Sequence, residues 1–502
     1  MPVTDTTGDT RARIQSLVDE GLLRGHGLIG GRWLGADDGR SFPVRDPATG
    51  EQIAEVPRMG SAETRAAIEA ADAALPAWRA RTAAERAAVL RRWAEELRLH
   101  ADGLALLMTL EQGKPLTEAR AEVNYAAAFF DWFAEEAKRV YGDVIPSPVP
   151  SNRIVVLKQP IGVTAGITPW NFPAAMPARK AAPALAAGCT MVLKPAEQTP
   201  LSALAIAELG MRAGVPAGVF NVVTGDSADA PLIGGELTSN PTVRKLGFTG
   251  STQVGKLLMR QCADQVKKVS LELGGNAPFI VFDDADLDKA VQGAIIAKFR
   301  NSGQVCVAAN RVLVQASVAD EFAKRLAHEA ARLVVGRGTD PDAQVGPLID
   351  RQGFEKVVEH VTEARAAGAE VLLGGTGHEL GGTFFEPTVI TGATPAMLMS
   401  REETFGPVAA IQTFASEEEA IERANDTPFG LSGYFYSRDI GRVWRVAEAL
   451  ETGIVGVNTG LISTEVAPFG GVKESGIGRE GSRYGIDEWI ELKYVCLGSI
   501  DE

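Results

Sequence analysis

The sequence KFRNSGQVCVAANR at residues 298–311 presents one cysteine, Cys306, after small and polar residues and shortly before the apolar run at 312–314. Small and polar residues are typical of a loop, and a short apolar run is typical of a buried strand. The stretch therefore predicts a loop that presents a thiol just before a strand. Such a thiol is a candidate nucleophile where a base lies nearby, and otherwise it packs as a small buried hydrophobe.

The candidate base lies upstream, in the sequence VSLELGGNAP at residues 269–278. An apolar strand pattern ends there at Glu272 and is followed by Gly274 and Gly275. Glycines at a strand end allow backbone or substrate to approach the carboxylate closely. The residues alone leave two interpretations open: a catalytic carboxylate, or a solvated acid in an ion pair.

Strands alternate with helices through most of the chain after residue 162. In the first block the predicted strands cover 162–167, 190–193, 219–223, 243–248 and 267–273, with helices near 176–187, 201–213 and 252–262. In the second block, which runs to about residue 475, they cover 279–282, 311–315, 408–414 and 454–457, with helices near 285–298, 319–334 and 417–424. This alternation predicts an α/β fold with parallel, doubly wound sheets.

Three further regions lie outside the alternating blocks. Residues 1–10 are predicted to be a mobile tail and residues 11–23 a short helix. Residues 61–140 are rich in Ala, Leu, Glu and Arg with helical spacing, which predicts three or four helices. The extended segments 153–158 and 489–497 are predicted strands of the kind that usually seek a pairing partner.

The dinucleotide fingerprint GxGxxG occurs twice, at residues 25–30 and 476–481. The fingerprint requires a strand before the glycines and a helix after them. Neither copy has that context, so we predict that neither binds a nucleotide. The first copy instead predicts a turn into an edge strand at residues 32–34.

The composition limits the classes of partner. With 45% hydrophobic and 23% charged residues, the 502-residue chain has the composition of a soluble globular protein of about three domains. Its net charge of −14 contains no block of like charges, which argues against nucleic-acid and anionic-membrane surfaces. We therefore expect neither a nucleic-acid partner nor a membrane partner.

The four cysteines are scattered, at Cys189, Cys262, Cys306 and Cys496. Their spacing matches neither a zinc site nor a disulfide framework, so no metal is predicted. No apolar run reaches the roughly 18 residues that span a bilayer. The first ten residues lack the basic start and apolar core of a signal peptide, which favours a cytoplasmic location.

A candidate phosphate-binding turn lies at FTGSTQVG, residues 248–255. Its glycines stand at a strand-to-helix turn, where free N–H groups and the positive helix end suit a pyrophosphate. A second strand ends at Lys194 and is followed by Glu197. These two side chains suit ribose hydroxyls as donor and acceptor, although a surface ion pair is the alternative.

Six motifs together resemble the aldehyde dehydrogenase superfamily, and the resemblance runs from about residue 27 to the end of the sequence. They are TPWNFP at 168–173, FTGST at 248–252, LELGG at 271–275, GQVC at 303–306, EETFGP at 402–407 and APFGG at 467–471. Within the superfamily, the chain is most similar to the succinate semialdehyde dehydrogenases, through FRNSGQVC, NTGLIS, EVAPFGGVKESG and GRWL.

The resemblance implies a domain arrangement with two doubly wound parallel-sheet domains and a small β oligomerisation element. The implied NAD(P)-binding domain covers 24–142 and 162–274, after an N-terminal segment at 1–23, and the catalytic domain covers 275–485. The oligomerisation element covers 143–161 and 486–502. Its C-terminal strand is expected to pair with a neighbouring subunit, in a homodimer or homotetramer.

The resemblance also assigns roles to individual residues. The implied nucleophile is Cys306, with Glu272 as the base for thioester hydrolysis and Asn171 as oxyanion donor, and Lys180 and Glu480 relay a proton outward. The implied cofactor residues are Thr168, Pro169, Trp170, Lys194, Glu197, Gly250, Ser251, Gly255, Leu273, Glu403 and Phe405. The implied substrate residues are Arg179, Arg300 and Ser463 for a distal carboxylate, with Phe172 and Phe469 along the acyl chain.

The resemblance implies oxidation of succinate semialdehyde to succinate, with a place in GABA degradation. Glutarate semialdehyde, which is one methylene longer, and an aldehyde dehydrogenase of broader specificity remain alternatives, because one methylene is worth only about 1–3 kcal/mol in a pocket. Glu197 favours NAD over NADP because a carboxylate repels a 2′-phosphate. Many close bacterial relatives lack an acid there, and Lys194 leaves use of NADP possible.

Overall fold

The computed structural model describes residues 6–499, with side chains from residue 12 onward. The α-helices of this part of the chain are α1 (Thr6–Asp19), α2 (Ser61–Arg79), α3 (Ala83–Leu99), α4 (Ala101–Gln112), α5 (Leu116–Glu136), α6 (Ala175–Ala187), α7 (Pro200–Arg212), α8 (Ala230–Ser239), α9 (Thr252–Ala263), α10 (Leu287–Phe299), α11 (Ala319–Ala330), α12 (Arg351–Ala366), α13 (Leu398–Arg401), α14 (Glu417–Asn425) and α15 (Ile440–Ala449).

The strands are β1 (Gly27–Ile29), β2 (Arg32–Leu34), β3 (Ser41–Arg45), β4 (Gln52–Pro57), β5 (Asp143–Ile145), β6 (Arg153–Pro160), β7 (Val163–Ile167), β8 (Thr190–Lys194), β9 (Phe220–Val222), β10 (Val243–Thr249), β11 (Lys268–Glu272), β12 (Ala277–Val281), β13 (Ala309–Gln315), β14 (Glu370–Leu373), β15 (Thr388–Thr391), β16 (Val408–Phe414), β17 (Phe429–Gly430), β18 (Ser432–Tyr436), β19 (Ile454–Val457), β20 (Val472–Lys473), β21 (Gly476–Ile477) and β22 (Ile490–Leu497).

The first large sheet has eight strands in the order β2-β1-β9-β8-β7-β10-β11-β21. Its five central strands, from β9 to β11, run parallel, and β1, β2 and β21 are antiparallel additions at the edges. Because β8, β7, β10 and β11 are neighbours, their carboxyl ends bring Thr168, Lys194, Gly250 and Glu272 to one edge of the sheet.

The second large sheet has seven strands in the order β14-β15-β16-β13-β12-β18-β19, and only β14 is antiparallel. The segment with Cys306 leads into β13, and the segment with Glu403 and Phe405 leads into β16. The amino ends of this sheet therefore face the same cavity as the carboxyl ends of the first sheet. The α/β class predicted from the alternating pattern is confirmed.

Helices α3 to α7 pack against one another around the largest hydrophobic cluster of the described residues, with α6 against β8 and α7 against β9. Trp93 lies at its centre, with its ring centroid 4.4 Å from Phe130 and 5.4 Å from Phe220. Local sequence fixes where these helices begin. Thr82, for example, accepts the backbone N–H of Glu85, whose side chain accepts the N–H of Thr82, as in a capping box.

Residues 61–140 contain four helices, and the first GxGxxG copy leads into the edge strand β2, as predicted. The second copy includes β21 and no α-helix follows it within the described residues. The predicted strand at the C-terminal end is present as β22, with Trp489 in a short 3₁₀ turn before it.

The N-terminal prediction was wrong in its boundaries. Residues 1–5 of the predicted tail lie outside the described residues, but α1 begins at Thr6 rather than residue 11. The sequence TTGDT has low helix propensity, which is why the pattern placed the start too late. The helix ends at Asp19 rather than residue 23 because Gly21 adopts a left-handed φ of 68°.

Candidate active site

The segment before Cys306 is a tight turn in which three successive residues have left-handed φ angles, 50° at Asn301, 56° at Ser302 and 75° at Gly303. A Cβ on Gly303 would lie 2.1 Å from the carbonyl oxygen of Gly406, so the turn admits only glycine there. The Ser302 hydroxyl donates to the carbonyl of Gly346 at 2.9 Å. Backbone strain of this kind is held in place by the surrounding contacts.

The Asn171 amide lies beside this turn. Its Nδ2 donates to the main-chain oxygen of Gln304 at 3.0 Å. The Gln304 side chain is itself fixed, since its Oε1 accepts the backbone N–H of Ile349 at 2.9 Å. Asn171, Gln304 and Cys306 line one cavity of about 390 Å³, so an amide donor and a thiol face the same space.

Burial raises the pKa of the Cys306 thiol to about 12. The carboxyl group of Glu403 acts in the same direction, whereas the guanidinium of Arg179 lowers this pKa. At neutral pH the resting thiol is therefore protonated. Nucleophilic attack by Cys306 requires that its proton be removed.

Glu272 lines the same cavity, at the carboxyl end of β11. It is 3% exposed, and neither carboxyl oxygen has a hydrogen-bond partner within the described residues. Burial, followed by the nearby Glu480, raises the pKa of Glu272 well above its ordinary value. A buried carboxyl group with a raised pKa and no protein partner is a candidate general base.

Lys180 and Arg179 both bind Glu480. The Lys180 Nζ donates to Oε1 of Glu480 at 2.9 Å, and the Arg179 Nε lies 2.7 Å from Oε2 in an ion pair. Burial acts to raise the pKa of Glu480, but the two cations together hold it below its ordinary value. An ionised carboxylate therefore lies behind Glu272.

The predicted phosphate-binding turn forms the start of α9. Ser251 caps this helix, with its hydroxyl accepting the N–H of Val254 at 3.3 Å. Gly250, Ser251 and Leu273 line the cavity, whereas Gly255 does not. A Cβ on Gly255 would lie 2.4 Å from Leu273, so this glycine allows α9 to pack closely against the segment after β11.

Lys194 and Glu197 do not line the cavity. The Lys194 Nζ donates to the carbonyl of Pro195 at 3.1 Å and lies 3.8 Å from Oε2 of Glu197. The main-chain oxygen of Lys194 accepts the N–H of Thr168 at 3.1 Å. Gln198, which follows Glu197, does line the cavity, so the pair lies beside its wall.

Pro169, Trp170, Glu403 and Phe405 all line the cavity. The rings of Trp170 and Phe405 meet edge to face at 5.5 Å. The backbone N–H of Gly275 donates to Oε1 of Glu403 at 3.3 Å, and burial raises the pKa of Glu403 to about 7.

None of the predicted substrate residues lines this cavity. Phe172, Phe469 and Cys306 belong to one apolar cluster. The guanidinium of Arg179 lies 3.9 Å from the Phe469 ring centroid, and that of Arg300 lies 5.7 Å from the Phe172 centroid.

The two arginines differ in their partners. Arg179 is buried and paired with Glu480, yet its Nη2 has no hydrogen-bond partner among the described residues. Arg300 is half-buried and forms no hydrogen bond or ion pair within residues 6–499. Ser463 lies in the loop after β19 and forms no hydrogen bond to either arginine.

Sequence reasoning missed part of the cavity wall. The missed residues are Met176, Gln198, Thr249, Gly274, Gln304, Ile349, Asp350, Gln352, Gly353, Lys356 and Thr404. Several are direct neighbours of the quoted motifs and could have been included on that ground. The cavity residues between 349 and 356 are not next to any of these motifs, so the sequence did not indicate them. One of them, Lys356, donates from Nζ to the main-chain oxygen of Glu403 at 2.6 Å.

No group of three or more His, Cys, Asp or Glu side chains within residues 6–499 is arranged to hold a metal ion. None of the helices in that part of the chain is both long and apolar enough to cross a membrane.

The fold and the cavity define an α/β protein whose two sheets meet at a half-buried cysteine and a buried glutamate. The model of the aldehyde dehydrogenase family matches residues 33–495. The chain belongs to the aldehyde dehydrogenase family.

Three relatives show how close the similarity is. The chain is 61% identical over 482 residues to the succinate-semialdehyde dehydrogenase [NADP(+)] GabD of Escherichia coli K12, covering 96% of this chain and 99% of that one. It is also 61% identical to a glutarate-semialdehyde dehydrogenase of Pseudomonas aeruginosa, covering 96% and 100%. A crystal structure of succinate-semialdehyde dehydrogenase from Burkholderia pseudomallei matches with a TM-score of 0.94 and 62% identity, covering 95% and 98%.

The protonated resting state of Cys306 can be measured directly. Without added ligand, we expect alkylation of Cys306 by iodoacetamide to accelerate about tenfold per pH unit between about pH 7 and pH 9. The reason is that only the thiolate reacts, and burial raises the pKa of this thiol to about 12. Mass spectrometry of the peptides separates Cys306 from the exposed Cys496. A rate that levels off near neutral pH would contradict the prediction.

Proposed function

We propose that this chain oxidises succinate semialdehyde to succinate with NAD(P) as hydride acceptor. One observation carries the proposal: a thiol, a buried carboxyl group and an amide donor, from Cys306, Glu272 and Asn171, line one cavity. These are the groups that oxidation of an aldehyde through a covalent thioester needs. A place in GABA degradation is part of the proposal.

In the first step, the Cys306 sulfur attacks the carbonyl carbon of the aldehyde, and Glu272, directly or through a water molecule, takes the thiol proton. The Nδ2 of Asn171 and the backbone N–H of Cys306 donate to the developing oxyanion. One such donor is worth about 2.7–4 kcal/mol in other enzymes. When bound, the nicotinamide ring supplies the acceptor for the hydride that leaves the reacting carbon.

In the second step, water cleaves the thioester between Cys306 and the acyl group. Before this step, the thiol proton leaves Glu272 outward along Glu480 and Lys180, so that Glu272 is ionised again. Glu272 then takes a proton from this water and returns it to the departing Cys306 sulfur. Because Lys180 and Arg179 hold Glu480 ionised, Glu480 is a proton acceptor behind Glu272. The released succinate carries the oxygen that came from water.

The residues present fit a nicotinamide dinucleotide. The capped start of α9 at Gly250 and Ser251 opens into the cavity, and a helix N-terminus suits a pyrophosphate. Glu403 and Phe405 would hold the nicotinamide ribose and ring. Lys194 and Glu197, beside the cavity wall, would bind the adenosine ribose.

The two arginines support a substrate with a distal carboxylate. Arg179 and Arg300 each contact an aromatic ring of the cluster that contains Cys306. Guanidinium groups suit carboxylates through paired N–H donors. Among the described residues, the Nη2 of Arg179 and the guanidinium of Arg300 have no hydrogen-bond partner, so donors remain available for a carboxylate. Ser463 would supply a further donor.

Glutarate semialdehyde is the second candidate substrate. The relative from Pseudomonas aeruginosa that bears this name is as similar to the chain, at 61% identity, as the Escherichia coli succinate-semialdehyde dehydrogenase. Both substrates have an aldehyde and a carboxylate, and they differ by one methylene. A kinetic panel of four-carbon and five-carbon semialdehydes decides between them.

We further propose a homodimer or homotetramer. Strand β22 pairs over its whole length with β6 of the same chain, and β5 lies on the other side of β6. The second edge of β22 has no strand partner among the described residues. Exposed Leu492 and Tyr494 lie on this strand, which supports pairing with a second subunit. The free cysteines support a reducing, cytoplasmic location.

Two variants test the reaction type. We expect Cys306→Ala to abolish hydride release because no covalent bond to the substrate can form. We expect Glu272→Gln to turn over slowly and to accumulate an acyl-enzyme, visible by mass spectrometry as the mass of a succinyl group. Full steady-state activity of Cys306→Ala would end the proposal.

A variant of Arg300 tests whether an arginine binds the distal carboxylate of the substrate. Arg300 is chosen because its side chain forms no ion pair with the described residues. We expect Arg300→Met to lower kcat/KM for succinate semialdehyde about 10- to 100-fold, since one charge-assisted contact is worth about 1.5–3 kcal/mol. Butanal, which has the same chain length without the charge, is the control substrate and should be hardly affected. Equal losses on both substrates would mean that Arg300 supports the loop rather than the substrate.

The choice of cofactor is tested at Glu197. We expect the wild type to have a higher kcat/KM for NAD than for NADP, because a carboxylate beside the ribose repels a 2′-phosphate. Glu197→Ser should shift the ratio toward NADP, with Lys194 left to pair with the phosphate. A wild type that strongly prefers NADP, the cofactor named for the Escherichia coli relative, would show that Glu197 does not face the ribose.

A further inference from the structure

Lys114 is a lysine that the reaction described above does not use, although its side chain is 1% exposed. It lies between α4 and α5 and forms an ion pair with Glu122, whose side chain is 2% exposed. Burying two charges costs several kcal/mol per ion, and an apolar pair of similar volume would often be as stable. Stability alone therefore does not explain why Lys114 and Glu122 are buried, whereas their contacts with other segments do.

The Lys114 ammonium reaches the main chain of Asn171. Its Nζ donates to the Asn171 carbonyl oxygen at 2.8 Å and lies 4.2 Å from the Phe172 ring centroid. The same carbonyl accepts the Nδ2 of Asn301 at 3.0 Å. Two donors thus fix the backbone of the residue whose side-chain amide faces the cavity.

Glu122 holds the other end of the same segment. Its Oε1 accepts the backbone N–H of Ala174 at 2.8 Å and that of Ala175 at 3.1 Å. These N–H groups form the start of α6, where a carboxylate is favoured by the helix dipole. The ion pair therefore fixes residues 171–175 at both ends, and with them the helix that carries Arg179.

A second acid on α5 holds the turn before the nucleophile. Glu118, one helical turn before Glu122, accepts the backbone N–H of Asn301 at 2.9 Å. Asn301 has a left-handed φ of 50° and bonds back to Asn171. One face of α5 is thereby connected to both the amide donor and the turn that leads to Cys306.

We propose that Lys114, with Glu122, is a positioning residue that fixes the Asn171 amide against the Cys306 turn, a role that rests on the proposed aldehyde oxidation. Lys114 touches neither substrate nor cofactor in this role. It acts through Asn171, so its loss should slow formation of the acyl-enzyme. The apparent KM for the aldehyde should change less than the rate, because Lys114 contacts Phe172 but neither Arg179 nor Arg300, the residues proposed to bind the substrate carboxylate.

The test measures single-turnover hydride release in the full-length protein with saturating NAD. We expect Lys114→Met to slow this step about 10- to 100-fold, since a small misplacement of a catalytic group costs up to that much. In an Asn171→Ala background, the same substitution should cost less than about threefold, because the residue through which it acts is gone. If Lys114→Met slowed hydride release by the same factor in the wild-type and Asn171→Ala backgrounds, the proposal would be wrong.

Lys245→Met is the matched control. Lys245 is another fully buried lysine, with an ion pair to Glu488 at 3.3 Å and the Trp489 ring at 4.9 Å, but it does not line the cavity. We expect this variant to lower the melting temperature and to leave the rate of hydride release unchanged. An equal slowing in Lys245→Met would mean that loss of any buried lysine has the effect, and the proposal would be wrong.

A second variant covers the case in which Lys114→Met does not fold because Glu122 is left as an unpaired buried charge. Lys114→Met with Glu122→Gln removes both charges and keeps an acceptor for the N–H groups of α6. This double variant should slow hydride release by the same factor, and most of that effect should again disappear in the Asn171→Ala background. A wild-type rate of hydride release would overturn the proposal. Absence of hydride release in the wild type, or no loss in Asn171→Ala alone, would instead count against the proposed function.

Discussion

The buried ion pairs of Glu480 with Lys180 and Arg179 are the interactions on which the site depends. Charges withdrawn from water are tolerated only when they are closely paired, and Glu480 has a cation on each of its carboxyl oxygens. The pairing keeps Glu480 ionised, which in turn contributes to the raised pKa of Glu272. Arg179 also lowers the pKa of Cys306 and has one free donor. Arg179 is already paired with Glu480, so a substrate carboxylate that binds Arg179 shares this guanidinium with Glu480.

The sequence was sufficient to predict the α/β class because each central strand is a short apolar run that ends in a distinctive motif. The predicted strands at 408–414 and 454–457 have the observed boundaries, and β10 and β11 end at Thr249 and Glu272, each one residue from the predicted ends at 248 and 273. The order of strands was not predictable, because it depends on contacts between distant segments. That order puts β7 between β8 and β10 and so brings Thr168, Gly250 and Glu272 together.

The parts of the site that the sequence did not reveal are those held by tertiary contacts alone. Lys356 lies on helix α12, most of whose residues are polar. Only the tertiary fold brings its Nζ to the main-chain oxygen of Glu403. Lys114 follows a glycine in a polar segment, which would suggest a solvated loop lysine, yet its side chain is buried against Phe172. In both cases the ammonium donates to a main-chain carbonyl, and such a contact leaves no pattern in the residues around the lysine.

The resting charges of the cavity favour a reaction that starts only when a ligand is bound. Burial raises the pKa of Cys306 to about 12 and raises the pKa of Glu272 well above its ordinary value. A positive charge that enters the cavity lowers the pKa of both groups, because an opposite charge stabilises their ionised forms. The same positive charge is favoured by the ionised or partly ionised acid at Glu403. A cationic ring held in the cavity would therefore favour the ionised forms of Cys306 and Glu272 beside the Asn171 amide.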